Sequence, residues 1–261
     1  MAIGWDDLER ELNAWAEAGL TASMWWRDDD AVAPSPALDR LLAIADATGV
    51  ALALAVIPKR AEAALAARLE PVGAAVAVLQ HGYAHDNYSA PGAKKIELGR
   101  ERPTDVVIAE LAVGREGLEN LFGPRALPVL VPPWNRIAPH LVPMLPEMGY
   151  RGLSTFAPRT RAHGVRGLAV INAHIDVIDW RGSRGFVGEE AALSATLEHL
   201  TARRSGAVDQ AEPTGLLTHH LAHGEATDAF VTQFLRRTAA NPAARWLAAQ
   251  EVFPAPNDAM A

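Results

Sequence analysis

Apolar positions along this chain change period from one segment to the next. Trp5, Leu8, Leu12 and Trp15 recur at three- and four-residue spacing, which predicts an amphipathic helix over 5–18, expected to pack across the barrel. Beyond it, short continuous apolar runs alternate with helical stretches. Runs at 20–27, 50–57, 74–80, 127–131, 152–156, 168–173 and 216–221 read as strands. Stretches at 37–48, 59–70, 105–122, 139–148, 188–204 and 225–239 read as helices, the first of them announced by Ser35 as N-cap and Pro36 at the first helical position. Strands that are apolar on both faces belong to a parallel sheet covered on both sides. The succession predicts an α/β fold, best fitted by an incomplete (β/α) barrel, with an open doubly wound sheet as the alternative. No glycine-rich phosphate loop follows any strand, which weakens a nucleotide-binding reading. No Pro/Gly/Ser linker divides residues 1–261, so one domain is expected, with a loose tail after 253.

Composition narrows the partners. Hydrophobic residues make up 49% and charged residues 21% of the 261, enough for a large core. The net charge of −7, with no dense Lys/Arg block, argues against nucleic acid or an anionic membrane as partner and leaves uncharged substrates, a small molecule among them, open. The N-terminus lacks a basic segment followed by an apolar one, and the apolar run at 50–58 is too short to span a bilayer, so a cytoplasmic protein is expected. The absence of cysteine removes disulfides, thiolate nucleophiles and Cys-ligated metals. Any metal is left to His, Asp and Glu, a donor set that suits zinc, with cobalt, nickel or manganese as alternatives.

The residues able to do chemistry fall after the strands. Asp28-Asp29-Asp30 ends the first, and His81 and His85 follow the third. Pro132-Pro133-Trp134-Asn135-Arg136 follows the fourth. His174, Asp176, Asp179 and Trp180 end the sixth, and His219, His220 and His223 end the last. Ligands and catalysis sit at the C-terminal ends of strands in parallel α/β folds. Each cluster alone has a bland reading: an acidic turn capping a helix, two histidines four apart by chance, tryptophans packing at a barrel end. Their conjunction on one rim is what carries weight. Two neutral imidazoles and one carboxylate make a three-ligand site with open positions, a second carboxylate can take a proton from water, and a histidine across the cleft can protonate a leaving amine.

These residues, in this order, resemble the polysaccharide deacetylase (NodB-homology) family, carbohydrate esterase family four, over residues 25–223. The resemblance implies a distorted (β/α)7-type barrel and metal-dependent removal of acetyl groups from sugars. It assigns Asp29 as catalytic base and Asp30 as metal ligand, with Asp28-Asp29 as the neighbouring register, and His81 and His85 as the other ligands. Gly82 stands where the family carries Ser or Thr, a change expected to remove a loop-stabilising hydrogen bond. Val131-Pro132-Pro133-Trp134 lacks the arginine that steadies the catalytic aspartate, leaving Arg136 or Arg27 to substitute. Asp176, Asp179 and Trp180 match the leaving-group side, and Leu217-Thr218-His219 the general acid, with His220 and His223 close enough to compete for that role. The loop at 83–103, carrying Lys94-Lys95, is expected to be either a lip facing substrate or a solvated surface loop.

The implied enzyme is a metal-dependent deacetylase acting on carbon–nitrogen (non-peptide) bonds of an N-acetylated sugar or glycan. Two alternatives are a hydrolase of a small cyclic amide or ureide, as in allantoinase-like relatives, and a non-catalytic sugar-binding relative whose support is the missing arginine.

Overall fold

The computed structural model describes residues 3–73, 75–160 and 164–254. Nine strands and seven α-helices are present among them. The strands are β1 Ala22–Ala31, β2 Leu52–Val56, β3 Val76–His81, β4 Ala126–Val131, β5 Gly152–Leu153, β6 Ala169–Val170, β7 Ile175–Asp176, β8 Thr214–Thr218 and β9 Ala244–Trp246. The helices are α1 Trp5–Glu17, α2 Pro36–Thr48, α3 Ala63–Leu69, α4 Thr104–Phe122, α5 Glu189–Arg204, α6 Glu225–Ala240 and α7 Ala249–Val252. Eight strands make one curled parallel sheet in the order β6-β5-β4-β3-β2-β1-β8-β7, and β9 adds to β1. This is the distorted barrel of the sequence expectation.

Strand alternation divides the core. Trp26 of β1 joins Leu54, Val56 and Val78 in the cluster beneath the helices, whereas its neighbour Trp25 points into the barrel with Leu79, Val129 and Phe253. Burying each of these large side chains contributes roughly 1.5–3 kcal/mol. Ser35 caps α2 through Leu38 N at 3.1 Å, with Pro36 behind it, as the sequence implied.

Several expectations shift. Strand β1 continues through Asp28, Asp29 and Asp30 instead of stopping before them. The helix expected over 139–148 is only a 3-10 turn, Val142–Met144, because Pro143 and Pro146 each remove an N–H donor. The runs at 152–156 and 168–173 shrink to two-residue strands, and β8 gives way to a 3-10 turn at His220–Ala222. Helix α1 packs in the helix layer and not across the barrel: Glu11 pairs with Arg204 of α5 at 2.8 Å, and the Trp5 ring meets Phe230 of α6 at 5.6 Å. Strand β9 and helix α7 are too short for periodicity to announce them. The tail from residue 255 lies outside the described residues. No described helix is long and apolar enough to cross a membrane.

Candidate metal centre and catalytic site

Alternation along β1 would place Asp29 and Asp30 on opposite faces, yet both serve the same mouth. The reason is a bulge. Asp28 pairs with Leu54 and Ala31 with Val56, so three steps on β1 match two on β2, and Asp30 takes φ 73° within that extra residue. Asp30 is thereby turned toward β3, where its Oδ1 lies 3.1 Å from His81 Nε2 and 3.3 Å from His85 Nε2.

The histidines are oriented by backbone. His81 Nδ1–H donates to the Val131 carbonyl at 2.9 Å, which leaves the Nε2 lone pair directed at Asp30. His85 sits at φ 60° on the loop after β3, its ring 4.4 Å from that of Trp134. Burial would lower the His81 imidazole, but the Asp29 and Asp30 carboxylates outweigh it and raise it. Burial would likewise raise the Asp30 carboxyl, but His81 in the first place, with His219 and His85, holds it below the usual carboxylate range. Burial and the neighbouring His81 lower His85, favouring its neutral, ligating form. Three donors that converge, in a field that attracts positive charge, fit a divalent cation.

Sequence reasoning missed what holds this loop. The buried Glu97 accepts from the backbone N–H of Tyr83 at 3.1 Å, Ala84 at 2.7 Å and His85 at 3.1 Å. Gly82 is required for this: a Cβ there would fall 2.0 Å from Glu97 Oε2 and 2.6 Å from Pro133 Cδ, and its φ is +55°. The hydrogen bond expected to be lost with Ser or Thr at 82 is thus replaced by three from Glu97. Part of the 83–103 loop is neither lip nor solvated surface but a brace. Glu97→Gln should weaken metal affinity by about 10–100-fold, the usual cost of losing an outer support. Titration against a competing chelator checks this, and unchanged affinity would mean that Glu97 does not support the ligands.

Asp29 is held from its own strand. Arg27, two residues away on the same face, places Nε 2.9 Å from Asp29 Oδ1 and Nη2 3.1 Å from Oδ2. The guanidinium is fully buried and also donates to Asn135 Oδ1 (2.7 Å), Ser154 Oγ (2.6 Å) and the Thr155 carbonyl (3.2 Å). Arg136, the other candidate for this task, is bonded to the Lys95 carbonyl instead. Asn135 was visible in the sequence but carried no sign of its partner. Four of the six non-glycine residues with positive φ among the described residues, Asp30, His85, Trp134 and Asn135, surround this mouth, the kind of backbone strain that gathers at functional sites.

Across the cleft, His219 places Nε2 4.0 Å from Asp29 Oδ2, and Trp180 meets its ring edge-on at 4.7 Å. Trp180 Nε1 donates to Asp176 Oδ2 at 2.9 Å. Burial raises the Asp176 carboxyl against the opposing pull of His219. His220 and His223 face elsewhere, bonded to Asp28 and Asp228. Asp179 lies in an exposed turn, capping the N–H groups of Arg181, Gly182 and Ser183, and is not brought to the mouth. Asp28 is not at the mouth either: its carboxylate is fully buried against β8.

A second group of two imidazoles and a carboxylate, His174, His199 and Glu212, lies buried at the other end of β8. His174, which the sequence placed on the functional rim, belongs here. Its Nδ1 accepts the Gly215 N–H at 2.9 Å, so the ring proton sits on Nε2, 3.5 Å from Glu212, and no lone pair is offered there. The two rings are stacked 3.5 Å apart and nearly parallel, so their in-plane lone pairs do not converge. This cluster is built for neutral histidines. Burial, His174 and Arg203 push His199 from an ordinary 6.5 down to about 2. The unfolded chain therefore binds the extra proton between those values, and stability must fall as pH drops below about 6.5. Urea unfolding from pH 7 to 4 should show this, with a shallower decline in His199→Asn; an identical slope would contradict it.

No protein-family model matches the chain, and no curated protein matches it. Solved structures do. The fold is that of the polysaccharide deacetylases and family 4 carbohydrate esterases, which recur among its structural neighbours. A protein assigned as a polysaccharide deacetylase from Mycobacterium smegmatis is 18% identical, with a TM-score of 0.61 over 96% of this chain and 91% of that one. A family 4 carbohydrate esterase from Streptomyces lividans, solved with acetate, is 14% identical with a TM-score of 0.52 over 85% and 90%. A family 4 acetyl xylan esterase from Clostridium thermocellum, solved with a cobalt ion, gives the same identity and score over 88% and 90%.

Proposed function

We propose that this chain is a divalent-cation-dependent hydrolase that removes an acyl group, acetyl foremost, from the nitrogen of an N-acylated sugar. The observation that carries the reading is the convergence of Asp30, His81 and His85 beside an arginine-held Asp29 and opposite His219. A cation held by Asp30, His81 and His85, zinc by preference with cobalt, nickel or manganese as alternatives by donor type, would polarise the acyl carbonyl and acidify water. Asp29 accepts the proton from the attacking water, its orientation held by Arg27. His219 delivers a proton to the departing nitrogen, kept in place by the Trp180 edge and Asp176. Trp134 and Pro133 brace the ligand loop, and Trp180, half exposed, offers substrate an apolar face. The acetate and cobalt bound by structural neighbours are in keeping with this chemistry. The non-catalytic alternative rested on a missing arginine; the pairing of Arg27 with Asp29 favours the catalytic reading over it.

The zinc-loaded protein incubated with N-acetylglucosamine oligomers should release acetate and free amine in equal amounts. Ring-opening of allantoin without acetate release would transfer the site to cyclic ureides. Loss of neither acyl group nor ring would end the hydrolase reading.

A further inference from the structure

The three consecutive aspartates divide their work, and the first has none in the proposed reaction. Asp28 is fully buried on the helix-facing side of β1. In the parallel register it stands opposite Thr218, the last residue of β8. Its Oδ2 accepts from Thr218 Oγ1 at 2.7 Å and from the His220 backbone N–H at 2.9 Å, and its Oδ1 meets His220 Nδ1 at 2.5 Å. Thr218 Oγ1 in turn accepts from Trp26 Nε1 at 2.9 Å, so the hydroxyl is fixed from both sides.

We propose that Asp28 is a positioning residue that grips Thr218 and His220, the neighbours of His219 on either side, and thereby sets the proton donor opposite Asp29. Thr218 ends β8 and His220 opens the 3-10 turn, with His219 between them at φ −140° and ψ 89°, and both neighbours turn their side chains to Asp28. Anchoring both neighbours to one carboxylate leaves the His219 side chain a single direction, toward the mouth. The anchor stands next to Asp29 in sequence, on the opposite face of the same strand. The strand that carries the base therefore also fixes the strand end that carries the acid. His220, which sequence alone left as a rival acid, is a tether in this arrangement, with its Nδ1 committed to Asp28.

The inference rests on His219 serving as acid in the proposed hydrolysis, so its test separates that role from simple folding. Two substrates are compared: an N-acetylglucosamine oligomer, whose nitrogen must be protonated to leave, and 4-nitrophenyl acetate, whose phenolate leaves without a proton. Asp28→Asn should lower kcat on the amide by about 10–100-fold, a fraction of what a well-placed general acid contributes, with KM, metal content and aryl acetate hydrolysis held within about twofold. In a His219→Ala background the same change should cost nothing further, because a residue acting through His219 has no effect once it is gone. Equal losses on both substrates, a fall in metal content, or additivity with His219→Ala would overturn the assignment. If Asp28→Asn does not fold, Thr218→Val and His220→Ala each release one arm of the grip and are read by the same criteria. A structure of the variant distinguishes failure of the positioning role from failure of the activity itself. Retention of the 4.0 Å spacing between His219 Nε2 and Asp29 Oδ2 overturns the positioning role. Wild-type protein that cleaves neither substrate overturns the hydrolase reading instead.

Discussion

Asp29→Asn should retain the bound cation and lose turnover by about two to four orders of magnitude, the range that a positioned general base contributes. The distinction follows from where Asp29 and Asp30 point. Asp30 faces both imidazoles, whereas Arg27 engages both oxygens of Asp29 and turns that carboxylate away from a ligand's role. Asparagine keeps the volume and one acceptor oxygen for Arg27, but it cannot take a proton from water. Metal content and kcat measured on the same preparation decide the matter. A variant that loses its metal would make Asp29 a ligand and shift the register of the aspartate run; one that keeps full turnover would remove the base.

Arg27→Met should be the more damaging change to the protein as a whole. The guanidinium ties β1 to the segments after β4 and β5 through Asn135, Ser154 and the Thr155 carbonyl, while neutralising Asp29. Deleting one partner of a buried pair leaves the other charge uncompensated and costs about 3–5 kcal/mol, far more than the pair is worth against an apolar substitute for both residues. Urea unfolding should therefore show a large drop in stability, and kcat should fall with it because Asp29 is no longer oriented. Arg27→Lys should rescue little, since a point ammonium cannot serve four acceptors in fork geometry. Stability close to wild type in Arg27→Met would mean that the pair is not what steadies Asp29.

The barrel was legible because its signals are strong and local. Continuously apolar runs such as Leu52–Val56 and the first four residues of β3, 76–79, cannot be amphipathic, and Ser35-Pro36 marks a helix start in two residues. The two-residue strands β5 and β6 were legible only as longer runs and β7 not at all, because their length is set by neighbours and not by their own composition. At the mouth, His81, His85 and an aspartate were readable from spacing. Which aspartate faced the histidines was not, since it depends on a bulge that inverts the side-chain order after Asp28. The choice between Arg27 and Arg136 was equally closed to sequence, because Arg27 finds Asn135 more than a hundred residues away and Arg136 is taken up by the Lys95 carbonyl. Glu97 gave no signal: a lone glutamate in a polar loop looks like solvated surface until three backbone N–H groups are found on it. His174 misled because it stands near a strand, but at the wrong end of the barrel.

Metal stoichiometry puts the central claim to the most direct test, because two clusters of like composition lie among the described residues and in one of them His174 Nδ1 is already taken by the Gly215 N–H. Zinc-loaded protein, dialysed against metal-free buffer, is compared with His81→Ala, His85→Ala and His174→Gln by elemental mass spectrometry. One ion per chain is expected in the wild type and in His174→Gln, and none in the two mouth variants. An ion that survives His81→Ala or His85→Ala, or departs with His174→Gln, would contradict a cation held by Asp30 and its two histidines.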